Sequence, residues 1–226
     1  MFAAGLGSVR RFLALRDAID RCDFTAARAT YDAWIAEMDG IHAAGIHPVA
    51  EYKRGYAPRF LGPLVESGRL RTSGGRRLLL QLPDAWSFRH DPEDRGEGLG
   101  WGGPEGGGDG WRTVRSWSAT LNEQGVAEQF TWMWYRVSFP VPADLPPGPV
   151  HLWFGEIDGR RCKVFVNGRP AGEIEGGRKP GEVEVTGMLV PGRENTVAVK
   201  IDHSRISELH LGGIIRPAML YLGPRP

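Results

Sequence analysis

A chain of 226 residues with 41% hydrophobic residues can bury a sizeable core in one or two domains, which excludes a disordered protein. Its formal net charge is +1, and the basic clusters Arg10-Arg11, Arg76-Arg77 and Arg160-Arg161-Lys163 are short and scattered, so no nucleic-acid partner is expected. Arg10, Arg11, Arg16 and Asp17 break up the first apolar run, which reads neither as a secretory signal nor as a membrane span, and the distant Cys22 and Cys162 suit neither a zinc site nor a disulfide framework.

From Val9 to about Ala44 apolar residues return every three or four positions, through Phe12, Leu15 and Ile19 and then Ala27, Tyr31, Trp34, Ile35, Met38 and Ile41. The spacing predicts two helices folded as an antiparallel hairpin, with Asp23 as the N-cap of the second and Gly45 as its stop. Pro48, Pro58 and Pro63 cut the following segment into short pieces, with one more brief helix near its end. Residues 1–72 are thus a helical region, and the polar residues 73–77 a linker.

Beyond Arg77 the period changes to two, in LLLQL, WMWYRVSF, VHLWF, KVFVNG, AGEIEG, GEVEVTG, NTVAVKI and AMLYLG, each bounded by Gly, Pro, Asn or Asp. Such short strands with no helical stretch between them predict a mainly β fold over residues 78–226, a jelly-roll β-sandwich. Asn167-Gly168 supplies the two positive φ values of a type I′ hairpin turn. Trp132 and Trp134 share one face of their strand, opposite Met133, Tyr135 and Val137. If both faces are buried the strand is central, with the N-terminal hairpin expected to lie over the tryptophans.

The words LPDAWSFRHDPEDRGEGLGW, WRTVRSW, MWYRVSFPVP, HLWFGEIDGRRCKVFVNGRPAGEIEGG, PGEVEVTGMLVPGRENTVAVKI and GGIIRPAMLYL follow one another over Leu78 to Leu222. In order and wording this series resembles the sugar-binding, galactose-binding-like jelly roll at the N-terminus of glycoside hydrolase family 2 enzymes such as β-galactosidases and β-glucuronidases. The sequence departs from that pattern after the Gly-Gly turn, where Lys179-Pro180 is followed by Gly181 instead of an aromatic residue. The catalytic barrel of that family needs about 250 residues, more than the chain holds, so its catalytic glutamates have no counterpart here. The resemblance implies a non-catalytic carbohydrate-binding or accessory module, with ligands held on the rim loops and a neighbouring catalytic domain or second subunit as partner. The alternative is a module that braces such a domain without binding sugar.

Candidate ligand residues follow from what a polyhydroxylated ligand needs: a ring for its C–H face, and charged or amide groups for its hydroxyls. Trp101 and Asp109 lie in or beside the glycine-rich stretch GGPEGGGDG, and Arg178 follows the Gly-Gly turn. His203, Arg205 and Glu208 precede the GGI turn in IDHSRISELHLGG, together with His210. Trp111, at the far end of the glycine-rich stretch, is read as a core residue. The pair Glu173 and Glu175 would stand about 7 Å apart on one strand face, within the range of glycosidase carboxylates, but Glu182 and Glu184 repeat the pattern and both pairs read as a solvent face. His90, Asp91 and Asp94 could make an oxygen-rich calcium site, but a turn opened by Asp91-Pro92 explains the same residues without metal and is the favoured reading, so no cofactor is expected. His42, His47 and Glu51 lack the spacing of a helical zinc site.

Overall fold

The computed structural model describes residues 2–45, 55–106, 108–127, 129–204 and 212–224, and the chain divides into two compact units, Met1–Gly74 and Gly75–Pro226. In the first unit, helix α1 (Phe2–Asp20) and helix α2 (Phe24–Ala43) pack together, with Phe12 against Trp34 and the Trp34 Nε1–H donating to Ser8 Oγ at 2.9 Å. The turn between them is a Schellman-type end: the Cys22 N–H bonds the Ile19 carbonyl and the Asp23 N–H the Ala18 carbonyl, while Cys22 takes the left-handed conformation at φ 54°. Asp23 then caps α2, its side chain accepting from the Ala26 N–H at 3.0 Å, and Gly45 ends the helix at φ 75°. A short π-turn, Ala57–Leu61, leads into α3 (Gly62–Arg71), which contributes Leu64 and Val65 to a core with Leu15, Phe24 and Trp34.

The second unit is a sandwich of two antiparallel sheets. One contains β1 (Arg77–Gln81), β11 (Ala218–Leu222), β5 (Val150–Asp158), β8 (Lys179–Glu184) and the short β10 (Gly213–Ile214). The other has the order β3 (Arg112–Arg115), β2 (Ala85–Asp91), β4 (Trp132–Pro140), β9 (Glu194–Asp202), β6 (Arg161–Val166) and β7 (Arg169–Glu175). Period-two alternation sends one face of each sheet into a shared core, with Met133, Tyr135 and Val137 of β4 meeting Leu152 and Phe154 of β5 and Val197 and Val199 of β9. The β6–β7 hairpin turns at Asn167-Gly168, with φ 51° and 80°, as the residue pair predicts.

β4 is central in its sheet; its inner face is buried, and on its outer face Trp134 is buried, Trp132 and Arg136 are half-buried and Ser138 is exposed. Trp134 is enclosed by Trp101, Phe165 and Ala198, with Trp111 packed alongside; Trp101 and Trp111 come from the segment between β2 and β3, Phe165 from β6 and Ala198 from β9. Glycine makes that possible at Gly96, where a Cβ would lie 2.5 Å from both Trp101 and Trp134 Nε1. The segment between β2 and β3 is therefore a lid that packs on the sheet through Gly96, Trp101 and Gly102, while Pro104, Glu105 and residues 108–110 are exposed.

Candidate functional site at one end of the sandwich

Strand register collects one set of termini at a single end of the sandwich. Asp91 pairs with Trp132, Trp132 with Asp202, Arg161 with Glu175, Ile157 with Lys179, and Asp158 with Gly213. Here the sheets stop being purely apolar. Among the buried polar and charged residues of the chain, Asp91, Glu156, Asp158, Lys200, Asp202 and His203 all belong to this end.

The aspartates of the β2 turn do not form an open cation site. Asp91 accepts from the Arg95 N–H at 2.8 Å, the Gly96 N–H at 2.9 Å and Trp134 Nε1–H at 2.9 Å, so its carboxylate closes the turn and anchors the tryptophan. Asp94 and Glu97 both reach the Lys200 ammonium, Glu97 at 2.6 Å, and Glu97 also accepts from Lys163 at 2.9 Å. Burial disfavours the Lys200 charge, yet the hydrogen bonds it donates to Asp94 and Glu97 outweigh it and hold its pKa above the ordinary lysine value. The Lys200 ammonium also stands 4.4 Å from the centre of the Trp132 ring, a cation–π contact. Among the described residues no group of three or more His, Cys, Asp or Glu side chains converges as metal ligands.

Across the end, Glu156 sits in β5 with its carboxylate between two guanidiniums, Arg178 at 3.0 Å and Arg216 at 3.5 Å. Burial raises the Glu156 pKa, and the two arginines recover only part of the shift. Neighbouring Asp158 accepts from the Gly212 N–H at 2.9 Å and fastens the start of the GGI turn. The Gly176-Gly177 turn reaches back to the β5–β6 connection: the Gly177 N–H bonds the Gly159 carbonyl at 2.8 Å, and a Cβ on Gly176 would run into that same oxygen.

The sequence-based candidates scatter over this frame. Trp101 is 5% exposed, with Arg89 4.2 Å over its ring and Trp134 and Trp111 edge-on to it, and so offers no face for a sugar to stack on. Asp109 is exposed on the lid, where its backbone carbonyl accepts from Arg89. Arg178 does lie at the end of the sandwich, in a left-handed conformation at φ 60°, but its guanidinium is committed to the buried Glu156. His203 is 3% exposed; its Nδ1–H donates to the Gln129 carbonyl at a long 3.4 Å, and its Nε2 is buried beside Gly212 with no hydrogen-bond partner among the described residues. Arg205 and Glu208 lie outside the described residues, as do His210, His47 and Glu51. The structure thus places Arg178 and His203 at one end of the sandwich, and Trp101 and Asp109 over the outer face of the six-stranded sheet.

One residue here escaped the sequence reading. Phe130, just before β4, is 52% exposed and lies at 28° to the His203 ring, with centroids 6.3 Å apart. Only its position, in a polar stretch two residues short of the strand, sets it apart from a core phenylalanine.

No protein-family model matches the chain. Among curated proteins it is similar to a β-glucuronidase of Paenibacillus borealis, 27% identical over 128 residues that make up 56% of this chain and 21% of that protein. Among solved structures it resembles a Ruminococcus gnavus β-glucuronidase at TM-score 0.54 and 23% identity, over 67% of this chain and 29% of that one. The same enzyme in complex with C6-substituted uronic isofagomine gives TM-score 0.55 at 21% identity. The chain therefore matches only a part of β-glucuronidases, spanning about a fifth of the curated relative and under a third of the solved chains. The structural likeness is one of fold.

Proposed function

We propose that the sandwich is a non-catalytic accessory module of a glycoside hydrolase of the family 2 type, and that it holds a carbohydrate at the end where β4 begins and β9 finishes. The observation that carries this reading is the partial coverage: a β-sandwich, matching a fraction of a glycosidase far too short to include a catalytic barrel, recurs here with a polar, charge-lined end. Binding would be shallow, with an aromatic ring against the sugar's C–H face and a few side chains on its hydroxyls. The direct test is a carbohydrate-array screen on the purified chain, including D-glucuronic acid, which the R. gnavus enzyme binds in one of its solved complexes. Saturable binding of one sugar class at millimolar concentration or below supports the reading.

A second reading has its own observation. Leu6, Val9 and Leu13 recur at helical spacing on α1, are all exposed, and face away from the buried Leu15, Ala18 and Ile19. A helix apolar on two faces suits a module that braces a neighbouring domain or subunit. Absence of binding to every sugar on the array would leave this bracing role as the working description.

A further inference from the structure

Most rings of the sandwich are buried, and Trp111, Trp117 and Trp132 are half-buried. Among the described residues, Phe130 is the only aromatic side chain that belongs with the exposed large hydrophobics. An isolated surface ring is unremarkable when its backbone is loose, but here the flanking backbone is fixed on both sides. The Gln129 carbonyl accepts from His203 Nδ1 at 3.4 Å, the Thr131 carbonyl from the His203 N–H at 3.1 Å, and Thr131 Oγ1 donates to the Asp91 carbonyl at 3.1 Å. His203, buried and lying at a shallow angle to the phenyl ring, backs it from within.

We propose, resting on the carbohydrate-binding reading above, that Phe130 is the aromatic platform of the site: its exposed surface takes the C–H face of a pyranose, and His203 is a positioning residue that holds the platform rigid. A ring fixed before the ligand arrives loses little conformational freedom on binding, so its apolar and C–H contacts count almost fully toward affinity. The platform role assigned from sequence to Trp101 thereby moves to a residue at the sandwich end, two positions before β4.

The experiment compares wild type, Phe130→Ala and Phe130→Trp by isothermal titration with the sugar that scores highest on the array. Phe130→Ala is expected to weaken binding about tenfold while leaving the thermal midpoint and the circular dichroism spectrum unchanged, and Phe130→Trp to retain or tighten it. His203→Ala should weaken binding less, with recovery in His203→Phe, which restores a flat ring behind the platform. Equal affinity of wild type and Phe130→Ala would overturn the platform while leaving a carbohydrate module standing. If wild type binds no sugar on the array, both the platform and the reading beneath it fall.

Discussion

Lys200 and Glu156 are two charges buried in the same sandwich and held in contrary ways. The Lys200 side chain is 3% exposed, but its partners Asp94 and Glu97 are 51% and 38% exposed and keep much of their hydration. The Glu156 side chain is 4% exposed, and its partners Arg178 and Arg216, at 13% and 15%, are withdrawn from water with it. Pairing wins at Lys200, where the charged form is favoured; desolvation wins at Glu156, where it is disfavoured. The exposure of the partners, more than their number, thus decides whether a buried ion keeps its charged form.

Glu156→Ala strands two guanidiniums in a poorly hydrated end and is expected to cost about 3 kcal/mol in urea unfolding. Lys200→Met leaves two carboxylates that can turn to water and keeps an apolar stem against Trp132, so its cost should be about 1 kcal/mol. Equal losses in the two variants would break the distinction.

A smaller effect separates the two regions by pH. The Glu156 pKa is raised above its ordinary 4.5, so its contribution to stability is fully present below 4.5 and declines as pH rises through the folded-state value. Glu97 behaves oppositely: burial works against its charge, but the bonds from Lys200 and Lys163 bring its pKa below 4.5, so its contribution is present above 4.5 and lost as pH falls through the folded-state value. Thermal melts across pH should show Glu97→Gln flattening the acid limb, and Glu156→Gln the limb above 4.5. The smallest effect is expected from calcium. With Asp91 engaged by three N–H donors and Asp94 and Glu97 by Lys200, the melting midpoint should be the same in excess calcium and in chelator. A calcium-dependent rise would show that the lysine can be displaced.

How much of this was legible in the sequence varied with the range of the interaction. Local signals read well: the Asp23 cap, the Gly45 stop and the Asn167-Gly168 turn depend on a few adjacent residues, and the alternation in β4 separated its core face from its tryptophan face. Cover was not legible. A sequence does not distinguish a glycine that lets the chain move from one, such as Gly96, that lets it approach an indole. Arg178 read as a free guanidinium because its partner, Glu156, is 22 residues away on another strand. Phe130 was passed over because exposure is a property of what packs around a residue, and β4 has core-forming aromatics immediately beyond it.

The Asn167-Gly168 corner carries a consequence for the chemical ageing of the protein. In a loose chain, the backbone nitrogen after an asparagine can attack the side-chain carbonyl carbon and expel ammonia, closing a succinimide ring that water then opens to an aspartyl or isoaspartyl residue; a following glycine hinders this least. Here the carboxamide is held away from that reaction. Asn167 Nδ2 donates to the Met188 carbonyl at 3.0 Å and Asn195 Oδ1 at 2.8 Å, its Oδ1 accepts from the Thr196 N–H at 2.9 Å, and the Gly168 N–H is occupied by the Gly102 carbonyl at 3.2 Å. Ammonia loss at this position therefore requires the corner to open first. The accumulation of isoaspartate at residue 167 during storage becomes a slow clock, counting how often the end of the sandwich opposite the proposed sugar site comes apart.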